Sequence, residues 1–162
     1  MFTSDAQLHL LCGKIAAGKS TLAAELGALP RSIVVSEDHW LARLYPAEQA
    51  SLGDYLRNST RLRAAIGPHL VSLLRMGISV VLDFPANTPD SRAWMRTLFE
   101  DAGVAHQLHL LDVSDDVCKA RLRDRNAGGA HEFTVTDDDF NLFTSYFSPP
   151  TAAEGFNVVV HS

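Results

Sequence analysis

The junction between a short apolar run and a glycine-containing loop near the start of the chain is the feature that most constrains the fold. Residues 8–12, LHLLC, have the composition of a strand buried on both faces, and Gly13 ends this run. A helical pattern begins at Lys19, and the sequence GKIAAGKS lies between strand and helix. Its Gly13, Gly18, Lys19 and Ser20 match the spacing G-x-x-x-x-G-K-[ST]. Because N–H groups of such a loop and the positive end of a helix converge on one point, the junction predicts a phosphate-binding loop.

Each position of this loop has an expected role in holding a nucleotide. Lys19 supplies a point charge for the β- and γ-phosphates and is predicted to be catalytic as well as nucleotide-binding. The hydroxyl of Ser20 is a hard oxygen ligand suited to Mg²⁺. The glycines let the backbone bend around an anion without a Cβ in the way. The predicted nucleotide-binding residues are Gly13, Lys14, Ala16, Ala17, Gly18, Lys19, Ser20 and Thr21.

Strands and helices alternate along the rest of the chain. A long, mainly polar helical region is predicted from about 47 to 75, with a break near Pro68, which lacks a backbone donor. Other helices are expected to begin at Thr88 and at Ser114. Further strands are predicted at Ser32–Ser36, which has the composition of a second buried strand, and at 78–83, 105–112 and 156–161.

This alternation predicts an α/β fold, in which helices cover both faces of a mostly parallel sheet. The 162 residues, 46% of them hydrophobic, suit a single domain over residues 1–162 with one core. Ligands of such sheets bind beyond the carboxyl ends of the strands. The residues that follow each strand are therefore the candidates for a functional site.

Two carboxylates follow the second predicted strand. Asp38 would lie beside the phosphates, where it can accept the proton of an attacking hydroxyl or orient it in line with the γ-phosphate. It could instead cap the helix that begins with HWLARLY, and Glu37 is the rival carboxylate for the catalytic role. The sequence favours Asp38 as a catalytic base.

Another carboxylate, Asp83, ends the apolar run ISVVLD. An acid at this point can hold Mg²⁺ directly or through water, together with Ser20. It could also cap the turn before FPAN. We predict Ser20 and Asp83 as the metal-binding residues.

Arginines occur in the segment ARLRDRNAGGAHEF, whose second half has the glycines and short polar residues of a mobile loop. Guanidinium groups that close over a γ-phosphate stabilise its developing charge, and a closed loop excludes water. Arg121 and Arg125 share one face of a helix and Arg123 points elsewhere, so one or two of the three are expected to reach the nucleotide. We predict Arg121 for nucleotide binding and Arg123 and Arg125 for catalysis, although a solvated helix face is the alternative.

Composition narrows the classes of partner and location. A net charge of −5 argues against an electrostatic grip on long nucleic acid. There is no long apolar run and no basic start to a signal peptide, so we expect a cytoplasmic protein that does not insert in membranes. Cys12 and Cys118 are expected to be buried thiols rather than a disulfide or metal site.

The sequence resembles the P-loop kinases related to polynucleotide kinase, chloramphenicol phosphotransferase and the zeta toxins. It is most similar to the small bacterial "predicted kinase" or ATP-binding proteins of that group. The resemblance covers CGKIAAGKSTLA, VVSEDHWLARLYP, VVLDFPANTPDSRAWMR, HLLDVSDDVCKARLRDRN and PPTAAEGFNVVV, in that order. These segments span nearly the whole chain.

The resemblance implies a three-layer αβα P-loop fold of the nucleoside-monophosphate-kinase type, with five parallel strands and a lid. ATP and Mg²⁺ are the implied cofactors. Asp38 matches the acid that acts as general base in the group, and the lid corresponds to about residues 121–136. Residues 148–156 correspond to a stretch that commonly borders the adenine.

We therefore expect a kinase that transfers the γ-phosphoryl group of ATP to a hydroxyl of an unidentified small molecule. One alternative is a nucleotide-binding ATPase switch that acts through a protein partner, as yet unknown. Another is a zeta-type toxin kinase that acts on a nucleotide sugar. Candidate contacts to an anionic or polar acceptor are Arg57, Arg61, Arg63, Asn87 and Arg92.

Overall fold

The protein is described here from a computed structural model, which covers residues 5–129 and 135–162. Helices and strands alternate over most of its length. The strands are β1 (Gln7–Cys12), β2 (Ser32–Ser36), β3 (Ser79–Pro85), β4 (Ala105–Leu111) and β5 (Val158–His161). The helices are α1 (Lys19–Gly27), α2 (Glu37–Leu44), α3 (Leu52–Arg75), α4 (Pro89–Ala102), α5 (Asp115–Gly128) and α6 (Asp137–Ser145), with a 3₁₀ turn at Ala152–Glu154.

All five strands form one parallel sheet in the order β2-β3-β1-β4-β5. This confirms the predicted α/β fold and its five parallel strands. The connections that leave β1, β2, β3 and β4 at their carboxyl ends meet at one edge of the sheet. That edge holds the glycine-containing loop, the start of α2 and the loops before α4 and α5.

The strand at one border of the sheet differs from its prediction. β2 was expected to be buried, but Ile33 is 43% exposed and Val34 is 38% exposed. The reason is topological, because among residues 5–129 and 135–162 β2 pairs only with β3 and lies at the end of the strand order. The apolar sequence of β2 marks it as a strand but does not show that it lies at the border.

α3 is one continuous helix of 24 residues, so the expected break near Pro68 is wrong. The ring of Pro68 lies on the exposed side, and the opposite side packs Leu62, Ile66 and Leu70 into the core. Tertiary packing along this face outweighs the one hydrogen bond that proline removes. Gly67 faces α4, where the side chains of Leu98 and Trp94 lie 3.7 Å from the position of an added Cβ, an ordinary van der Waals distance.

α6 was absent from the predicted elements. Thr136 and Asp139 form a capping box at its start, in which each side chain bonds the backbone N–H of the other residue. The sequence TVTDDDF does contain this signal, a threonine followed three residues later by an acid before an apolar run. Within the part of the chain that the structure describes, none of the helices is both long and apolar enough to span a bilayer.

Candidate active site

The loop between β1 and α1 has the backbone geometry that its sequence predicts. Gly18 lies at φ 105°, in the left-handed region that favours glycine, and Ala17 N–H donates to Lys14 C=O at 3.1 Å. A Cβ added to Gly13 would lie only 3.2 Å from the Cβ atoms of Ala17 and Leu111. Among the residues that the structure describes, no side chain caps the start of α1. The first N–H groups of α1 therefore keep their capacity to bind an anion.

Lys19 curls back over this loop. Its ammonium group donates to the carbonyl oxygens of Gly13 and Lys14, the latter at 2.8 Å. Burial lowers the pKa of Lys19 to about 8, although the nearby Asp83, Cys12 and Asp38 act in the opposite direction. The lysine thus lies within electrostatic range of two carboxylates at neighbouring strand ends. A phosphate in the loop would restore full charge to it.

Asn87, one of the expected acceptor contacts, instead holds the entry to this loop. Its side-chain oxygen accepts from Gly13 N–H at 3.0 Å, and its side-chain amide donates to Gly13 C=O at 2.9 Å. Asn87 C=O also accepts from Ser148 N–H at 2.8 Å. The residue joins the end of β3 to the end of β1, a role that no local sequence signal indicates.

Ser20 and Asp83, the predicted metal-binding pair, meet at the carboxyl edge. The Ser20 hydroxyl donates to an Asp83 carboxylate oxygen at 3.2 Å. Burial raises the pKa of Asp83, whereas the charge of Lys19 and this hydrogen bond oppose the rise. One hydroxyl and one carboxylate, next to an anion-binding loop, form a donor set that fits Mg²⁺, which completes its shell with water and phosphate oxygens. In residues 5–129 and 135–162, no group of three or more His, Cys, Asp or Glu could hold a metal ion.

The two acids at the start of α2 point in different directions. Ser36 caps the helix, since its hydroxyl accepts from His39 N–H at 3.4 Å, so Asp38 is not the cap. Asp38 lies on the exposed side of the first turn. Glu37 is 1% exposed and accepts hydrogen bonds from the hydroxyls of Tyr55 and Ser59. At this edge Asp38 is thus the exposed carboxylate and Glu37 the buried one.

The three arginines of α5 separate into two groups. Arg121 donates to the carbonyl oxygens of Ala16 and Ala17 at 3.3 Å each. Arg123 pairs with Asp137 of α6 at 2.8 Å, and this bond raises the pKa of Arg123. Arg121 and Arg125 line an open cleft of about 380 Å³ together with residues 16–18, Thr21 and Glu25.

The arrangement thus favours Arg121 and Arg125 over Arg123 as residues that reach a nucleotide. Part of the expected lid, residues 130–134, lies outside the described residues. The side chain of Lys14 is bound elsewhere, to Asp115 at 2.6 Å and to Val113 C=O at 3.3 Å. In this arrangement the Lys14 side chain points toward the start of α5.

Arg92 was expected among the acceptor contacts, and this expectation is corrected. It is 1% exposed and donates to the carbonyl oxygens of Ala86 and Ser148 and, at 2.8 Å, to the Glu154 carboxylate. Arg96 also donates to Glu154 C=O. Residues 148–156 therefore pack on α4, and none of them lines the cleft beside the loop.

The other acceptor candidates lie on α3. Arg57 is exposed and pairs with Asp54 at 2.9 Å, and Arg61 is exposed. Arg63 lies deeper, between Glu37 and Ser91. Cys12 and Cys118 are both buried free thiols, as predicted.

Comparison with known proteins assigns the chain to a family. A family profile described as an AAA domain matches residues 8–150. The chain belongs to this AAA domain family. Its fold is that of the P-loop kinase group, as the sequence predicts. No curated protein matches this chain.

Solved structures share the fold at low sequence identity. A proposed kinase from Chloroflexus aurantiacus J-10-fl is 20% identical, with a TM-score of 0.77 over 99% of this chain and 86% of its own. Chaetomium thermophilum Kti12 in complex with ADP-AlF3 is 15% identical, with a TM-score of 0.72 over 96% and 88%. The Mycobacterium tuberculosis APS kinase CysC in complex with AMPPNP and APS is 21% identical, with a TM-score of 0.61 over 91% and 85%.

Proposed function

We propose that this AAA domain protein is an ATP-dependent kinase that transfers the γ-phosphoryl group to a hydroxyl of a small molecule. The observation that carries the proposal is the meeting of Ser20 and Asp83, 3.2 Å apart, beside the anion-binding loop and Lys19. Asp38 at the next strand end adds a carboxylate on the exposed side. The fold shared with Kti12 in complex with ADP-AlF3 and with an APS kinase in complex with AMPPNP supports a nucleotide in this loop.

In the proposed mechanism, the N–H groups of the loop and of the first turn of α1 hold the phosphates. Lys19 exchanges its two carbonyl partners for phosphate oxygens and neutralises their charge. Ser20 and Asp83 would hold Mg²⁺, which when bound offsets charge on the β- and γ-phosphates. Arg121 and Arg125 contact the nucleotide from α5.

Asp38 binds and orients the acceptor hydroxyl. As the acceptor oxygen forms its bond to the γ-phosphorus, the bond from that phosphorus to the β–γ bridging oxygen breaks and ADP leaves. The acceptor proton passes to the Asp38 carboxylate. Holding the acceptor in line with the leaving oxygen supplies much of the rate enhancement.

The acceptor is proposed to be small because the net charge of −5 does not favour a long nucleic acid. A cytoplasmic location likewise stays a prediction from the sequence. Neither proposal depends on the geometry of the loop.

The test is transfer of labelled γ-phosphate from Mg-ATP to a panel of nucleosides, sugars, nucleotide sugars, aminoglycosides and oligonucleotide 5′ ends. Wild type should label at least one compound, and Asp38→Asn should label it at least about a hundredfold more slowly. Asp101→Asn, at the far end of α4, is the matched control and should behave as wild type. Rapid phosphate release with no labelled compound would contradict the kinase and favour an ATPase switch.

A further inference from the structure

Glu37 is a buried acid that has no role in the mechanism proposed above. Glu37 is 1% exposed and belongs to the first turn of α2, directly before Asp38. A carboxylate is rarely buried unless it is paired and hydrogen-bonded, because its transfer from water is energetically unfavourable. The partners of Glu37 therefore indicate what its burial achieves.

Those partners form a row on α3. Tyr55, Ser59 and Arg63 follow one another at four-residue intervals, so their side chains share one face of the helix. The Tyr55 hydroxyl donates to Oε1 of Glu37, and the Ser59 hydroxyl donates to Oε2 at 2.8 Å. A guanidinium nitrogen of Arg63 lies 3.6 Å from the same Oε2. Both carboxylate oxygens are thus occupied and the charge is balanced.

Arg63 extends this connection to α4. It donates to the Ser91 hydroxyl at 3.0 Å and lies over the rings of Trp94 and Phe84, 5.1 and 5.9 Å from their centroids. Its side chain is therefore fixed on several sides. Through Glu37, the start of α2 is attached to two longer helices.

α2 needs such an attachment, because a helix of eight residues has little stability of its own. Leu41, buried in the core, fixes its middle by apolar contact, which does not set a rotation about the helix axis. Directional hydrogen bonds from two hydroxyls to opposite oxygens of one carboxylate do set it. The rotation of the first turn decides where Asp38 points.

We propose that Glu37 is the positioning residue of the base, holding the first turn of α2 so that Asp38 faces the phosphate-binding edge. The inference rests on the proposed function in one respect, that Asp38 acts on the acceptor. Glu37 itself touches neither nucleotide nor acceptor in this assignment.

A double-mutant cycle tests the inference. Glu37→Gln keeps the shape of the side chain but loses its charge and one acceptor oxygen, and Glu100→Gln on α4 is the exposed control. Both are made in wild type and in Asp38→Asn, and Mg-ATP turnover and the Kd of an ATP analogue are measured. Glu37→Gln should lower kcat about tenfold with the Kd within about twofold, and should add less than about threefold to the loss in Asp38→Asn.

NMR spectroscopy tests the positioning role without a measurement of turnover. Backbone amide signals of residues 37–40 in a ¹⁵N correlation spectrum should shift or broaden in Glu37→Gln, whereas those of residues 13–21 should keep their positions. Tyr55→Phe, which removes one of the donors, should change the same signals in a weaker way. Unchanged signals at 37–40 would overturn the positioning role even if no acceptor were known.

The remaining outcomes separate this inference from the proposed function. Multiplicative losses in the double variant, or an equal fall in nucleotide affinity, would make Glu37 a structural residue only. Loss of turnover in Glu37→Gln with full turnover in Asp38→Asn would overturn both assignments and make Glu37 the base. Full turnover in Asp38→Asn together with shifted signals at 37–40 would contradict the proposed base while retaining the coupling of Glu37 to α2.

Discussion

Lys19 in the loop after β1 and Arg92 in α4 both donate hydrogen bonds from their side chains, but Arg92 has partners much farther away along the chain than those of Lys19. Lys19 bonds carbonyl groups only five and six residues away. Arg92 of α4 bonds Ser148 and Glu154, which are 56 and 62 residues away. The difference shows that a site made from the backbone of one short segment can be predicted from that segment. Buried side-chain contacts between distant segments cannot be predicted from either segment alone.

The largest expected effect is on stability and comes from α4. Arg92→Met should lower the free energy of unfolding by about 3 kcal/mol, because it removes the buried guanidinium group that donates to Glu154 and to two carbonyl groups. Arg57→Met, which breaks only an exposed pair with Asp54, should change it by less than about 0.5 kcal/mol. Urea unfolding measures both. Equal changes in the free energy of unfolding would contradict the view that Arg92 stabilises the fold and that Arg57 is merely solvated.

A smaller effect is expected inside the sheet, where polar side chains also meet across strands. His109 bonds His9 at 3.1 Å and His161 at 2.9 Å, and burial lowers its pKa to about 4. The unfolded chain, with a histidine pKa near 6.5, then binds more protons than the folded chain between these values. Stability should be fully present above about pH 6.5 and should fall by about 2 kcal/mol as the pH drops to 4.

The control is His109→Gln, whose amide can still donate and accept within the sheet but does not titrate. It should show a flatter dependence of stability on pH between 4 and 6.5, measured by thermal or urea unfolding at several pH values. A variant with the same slope as wild type would show that other groups cause the acid loss.

The smallest expected effect concerns the protonation of Lys19 in the loop after β1. Burial lowers the pKa of Lys19 to about 8, so near pH 8 about half of the free protein carries this charge. Because phosphates favour the charged form, binding of Mg-ATP at pH 8 should take up about half a proton, and binding at pH 6.5 should take up almost none. Calorimetry in two buffers with different heats of ionisation measures this uptake. Equal uptake at both pH values would contradict the shifted pKa.

The fold and the position of the site were largely predictable because their signals are local. The strand, glycine loop and helix around residues 8–26 and the alternation of the later elements come from spacing alone. The capping box of α6 is also local and was available at Thr136 and Asp139. The continuity of α3 through Pro68 was not predictable in this way, since it depends on a face packed against other elements.

Side-chain roles were less predictable than positions. The sequence placed Glu37 and Asp38 at the same strand end, but their directions depend on Tyr55 and Ser59 of α3. The two bonds of Asn87 to Gly13 depend on β3 lying next to β1, which only the sheet order reveals. Whether a residue of a given type acts in catalysis or in stabilising the fold thus depends on neighbours that are distant in sequence.

The most direct test of the account compares Mg-ATP binding with labelled phosphoryl transfer in wild type and Asp38→Asn. The variant should bind Mg-ATP with a Kd within about threefold of wild type, because the loop and Lys19 are intact, but should transfer phosphate at least about a hundredfold more slowly. Binding retained with undiminished transfer would contradict the central claim that Asp38 is the base of a kinase.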